Sequence, residues 1–102
     1  MPEIVSKCVV EGKITDFKLS DYLGKYTVLV INPIKIAELE RIKYVQVIAV
    51  LRDSVYALKE KYSWLMPIVS DVTLEIGKKY CNCTDGLHGI FIISPTGILR
   101  HF

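Results

Sequence analysis

Two apolar runs mark the centre of the chain: Thr27 to Ile31, which is uninterrupted, and Tyr44 to Leu51, in which Val45, Val47, Ile48, Ala49 and Val50 carry the pattern. Runs of β-branched and aliphatic residues without alternation read as strands covered on both faces, and Asn32-Pro33 ends the first of them. Gly89 to Ser94, rich in isoleucine, reads the same way. The first twenty residues are patterned differently. Ile4, Ser6, Cys8 and Val10 alternate imperfectly with Val5, Lys7 and Val9, the turn Glu11-Gly12-Lys13 follows, and Ile14 to Leu19 returns as the second strand of a hairpin. Ser20 to Lys25 carries cap and turn residues around one apolar anchor, which predicts a single helical turn.

Between the two central runs there is room only for a short helix over residues 34–42, with Ile34, Ile36, Leu39 and Ile42 as core contacts. Asp53-Ser54 caps a helix running to about Trp64, with Val55, Leu58, Tyr62 and Leu65 at helical spacing and Lys59, Glu60 and Lys61 toward solvent. Met66 to Ser70 predicts a short strand. Asp71 then caps a helix with Val72, Ile76 and Tyr80 on one stripe, ended by the loop Cys81 to Gly86. Pro95-Thr96-Gly97 supplies a turn, and Ile98 to Phe102 is the last strand. This order predicts one α/β layered domain over residues 1–102, with parallel strands in the middle of the sheet and antiparallel pairs at its ends.

Composition narrows the function. The 102 residues are 51% hydrophobic, enough for one core, and 13 basic against 11 acidic residues leave a net charge of +2 with no clustering. A nucleic-acid or anionic-membrane face is therefore not expected. No apolar run approaches a membrane span and the first residues are polar, so a cytoplasmic protein is expected. Three cysteines, an odd number, fit a reducing compartment.

Candidate chemistry is sparse. Cys81 and Cys83, one residue apart and next to Lys78 and Lys79, either close a small strained disulfide with redox activity or serve as small apolar residues at a helix end. Adding His88 gives three potential zinc ligands, but the spacing matches no common structural site and no fourth ligand is evident, so neither a metal nor any other cofactor is expected. His88 without a nucleophile beside it reads as a polar residue at a strand entrance, His101 as solvated, and Cys8 as a small buried residue.

Four stretches in order, Phe17 to Tyr26, Pro33, Ser70 to Ile76 with Tyr80, and Asp85-Gly86 followed by Gly89 to Phe102, resemble the peroxiredoxins, the alkyl hydroperoxide reductase and thiol-specific antioxidant family. The resemblance implies a thioredoxin-like, three-layer domain with a central mixed sheet. It also implies a Pro-x-x-x-Thr/Ser-x-x-Cys motif after the first central strand, whose cysteine attacks peroxide as a thiolate. Counted from Pro33, Ala37 stands at the hydroxyl position and Glu40 at the cysteine position, and no cysteine lies between Cys8 and Cys81. The active-site helix is expected to be largely deleted. His88 stands where the family's activating arginine is expected, and the sequence stops before the region that bears a resolving cysteine in many members. The expectation is a peroxiredoxin-like scaffold without peroxidase activity, with residual thiol-disulfide or peroxide-reducing activity through Cys81 and Cys83 as the alternative. The shortened helix leaves a sheet face uncovered. With the family's edge pairing through Ile98, Leu99, Arg100, His101 and Phe102, it implies a homodimer.

Overall fold

The computed structural model describes residues 3–33, 35–42, 44–81 and 89–101, with only the backbone of Cys81 and His101 described. Seven strands form one sheet: β1 (Val5–Val10), β2 (Lys13–Lys18), β3 (Thr27–Ile31), β4 (Gln46–Leu51), β5 (Ile68–Ser70), β6 (Gly89–Ile93) and β7 (Leu99–His101). Their order is β2-β1-β5-β4-β3-β6-β7. β3, β4 and β5 run parallel, while β1 meets β5, β6 meets β3, and the two hairpins are antiparallel. This is the mixed sheet the hydrophobic pattern predicts. Among the described residues three helices complete it, α1 (Ile36–Glu40), α2 (Val55–Lys61) and α3 (Glu75–Cys81), with one 3-10 turn over Leu19–Tyr22.

Of the strands that read as doubly covered, β3 and β4 are so, whereas β6 is buried on one face and leaves Ile90 46% exposed on the other. On one face Leu29, Ile31, Ile48, Val50, Phe91 and Ile93 form a core with Ile76 and Tyr80 of α3 and with Cys8 and Phe17 of the first hairpin. Tyr80 meets Phe91 edge to face, ring centroids 5.2 Å apart. On the other face Val47, Ala49 and Ile68 pack with Leu58 of α2, and Val28, Ile36, Leu39 and Ile42 lie against that group half-buried. α1 therefore covers part of this face with only five residues. In the β1–β2 hairpin, Glu11 and Gly12 take φ of 53° and 76°, left-handed values at both central positions of a two-residue loop, the twist that matches the flanking strands.

Several boundaries differ from the sequence reading, and three of them change which side chains are exposed. α3 begins at Glu75 rather than after Asp71, because residues 72–74 form a turn in which Leu74 adopts φ of 63°. Asp71 still caps it from a distance: its two carboxylate oxygens accept from the N–H groups of Ile76 and Gly77 at 3.0 and 2.9 Å. Val72 is consequently exposed. α2 stops at Lys61, where Tyr62 turns extended so that Tyr62 and Trp64 pack at 5.0 Å and the Trp64 carbonyl accepts from Glu11 N–H at 2.8 Å; Leu65 is left 68% exposed. β4 starts at Gln46, which pairs with the first residue of β3, Thr27, so Tyr44 has no ladder partner and is 88% exposed.

Asp71 is 4% exposed, and its backbone N–H also reaches the end of β4 through the Leu51 carbonyl at 2.8 Å. Asp71→Ala leaves two helix N–H groups without acceptors. It is expected to cost about 3 kcal/mol in urea unfolding, and Asp71→Asn, which keeps one acceptor, about half of that. A loss under about 0.5 kcal/mol for the alanine variant would contradict this role.

Burial pushes the thiol of Cys8 and the phenols of Tyr22 and Tyr80 above their ordinary values of 9.0, 10.0 and 10.0. The folded chain holds these protons more tightly than the unfolded chain. The stability they contribute is thus complete below pH 9 and is lost as pH rises through the unfolded and then the folded values. Urea midpoints measured from about pH 7 to 11 are expected to be level at first and to fall above about pH 9, and a level profile throughout would contradict the burial of these groups.

Candidate functional site

In a sheet with a parallel centre, chemistry gathers at the carboxyl ends of the strands, where β3 lies between parallel β4 and antiparallel β6. Asn32 follows β3 with φ of 50°, its N–H held by the Val50 carbonyl at 2.8 Å, and this bend delivers half-buried Pro33 to the sheet's edge. A groove of about 290 Å³ opens there, walled by Ile31, Pro33, Leu39 and Ile90 with Lys35 and Asn32 as its polar groups. Among the described residues lining it there is no thiol, hydroxyl or carboxylate. The described lining offers apolar contact, the Asn32 amide and the Lys35 cation, and among the described residues no nucleophile or general base.

The residues that the sequence reading set at candidate catalytic positions do not converge on it among the described residues. Ala37 is exposed on α1, and half-buried Glu40, the last residue of α1, lines a different groove with Ile42 and Leu65. Glu40 is acidic at a helix C-terminus, not the N-terminal position where a catalytic thiolate would gain from the dipole. Cys8 lies on β1, separated from β3 by two strands of the sheet, opposite Thr15 and Val69; it is 1% exposed and its thiol is raised by burial. Cys81 closes α3, and its side chain, together with Cys83 and His88, lies outside the described residues. Among the described residues no group of three or more His, Cys, Asp or Glu side chains is placed to hold a metal ion.

β7 is the sheet's edge, as the sequence reading requires, with Leu99 half-buried and Ile98 and Arg100 exposed; Phe102 lies outside the described residues. The opposite edge, β2, is blunted by exposed Lys13, Asp16 and Lys18, with Asp16 paired to Lys7 across the hairpin. The sequence reading missed the amino ends of the central strands. There Lys25, Tyr26, Tyr44, Val45 and Gln46 surround a groove of about 360 Å³, with Tyr26 and Tyr44 both largely exposed. The available signal was that both tyrosines flank apolar runs and each follows a lysine, a position where an aromatic ring need not enter the core.

No family model matches the chain. Along 99% of its length it is 32% identical to the thioredoxin-dependent peroxide reductase, mitochondrial, of Drosophila melanogaster, of which it covers 55%. It is 28% identical to peroxiredoxin-2 of Cricetulus griseus over 97% of its length, covering 64% of that protein. The chain thus spans somewhat more than half the length of these relatives. The alignment with the fly protein extends over 129 residues, more than the 102 of this chain, so the relative carries residues inside the matched span that have no counterpart here. In structure, 98% of the chain superposes on 75% of AhpC from Enterococcus faecalis with a TM-score of 0.75 at 17% identity, which is a likeness of fold. No helix among the described residues is long and apolar enough to cross a membrane. Nearly the whole chain is similar to part of these proteins, and its sheet superposes on that of AhpC, so the chain resembles the peroxiredoxin family and has a thioredoxin-like fold.

Proposed function

We propose that this chain is a peroxiredoxin-like protein without thiol peroxidase activity, a scaffold that works by binding or assembly as a homodimer in a reducing compartment such as the cytoplasm. The observation that carries this reading is the groove after β3: its described lining is apolar, and the segment from Asn32 to Val45 contains no cysteine. A peroxide-reducing thiolate needs a helix N-terminus or a cation beside an accessible sulfur. Cys8 is buried in the core, and Cys81 ends a helix, where the dipole disfavours a thiolate. The described strands, from Val5 to His101, all join one sheet, which supports a single folding unit that unfolds in one urea transition.

The homodimer rests on two features. β7 leaves an unpaired edge, and α1, at five residues, is too short to shield the second sheet face, where Ile90 stays 46% exposed. The second reading, residual thiol chemistry, is favoured by Cys81 and Cys83 lying one residue apart after Lys78 and Lys79 in the last turn of α3.

Intact mass followed after about ten equivalents of hydrogen peroxide separates the two readings. The scaffold reading expects slow gain of oxygen over hours and no disulfide. Loss of two hydrogens within seconds, abolished in Cys83→Ser, would replace it with the redox reading.

A further inference from the structure

We draw no further inference here: the strongest candidate, the groove at the amino ends of β3 and β4 where exposed Tyr26 and Tyr44 stand beside Lys25, is a surface patch for which nothing in the structure shows what covers it.

Discussion

Everything in this structure depends on burying two strands, Thr27–Ile31 and Gln46–Leu51, on both faces at once. A parallel pair has no free face, so each side must be closed by other elements. α3 and the first hairpin close one side, and α3 is held there by the Asp71 carboxylate, whose residue is itself tied to the end of β4. α2 and the short α1 cover the other over β3 and β4, leaving Ile90 of β6 partly exposed. A helix of five residues has no stability of its own, so α1 persists only through Ile36 and Leu39 packing on the sheet.

The sheet was legible because its signal is local. Uniform apolar runs can hardly be anything but buried strands, and β3 starts and ends at the residues its pattern marks. The order of elements then restricts how such strands connect. Helix boundaries were less legible because they depend on contacts distant in sequence. Nothing near Tyr62 announces that α2 stops so that Trp64 meets the first hairpin, and nothing near Val72 announces a left-handed Leu74 ahead of α3. Leu65 has the spacing of a core residue and Tyr44 the composition of a strand residue; both are exposed because their neighbours leave the regular element one turn or two residues sooner.

The candidate site was legible chiefly as a departure from the family the chain resembles. Pro33, Ala37 and Glu40 are read directly by counting, and the structure adds that Pro33 and Glu40 border separate grooves. Distance between those residues is set by how α1 lies on the sheet, which periodicity does not encode. The aromatic surface around Tyr26 and Tyr44 was missed for a related reason: exposure of a flanking residue depends on where the strand ladder begins, and that is fixed by the pairing of Thr27 with Gln46.

The central claim is that the sheet stands as a complete core although the helix after β3 is only five residues long. Native-state hydrogen exchange read by mass spectrometry tests it most directly. The amides of β3, β4 and β6 are expected to exchange at least about a hundredfold more slowly than those of α1, as a cooperative core with a peripheral helix requires. Rapid exchange in β3 and β4 at the rate of α1 would mean that the strands are not buried on both faces and would contradict the account.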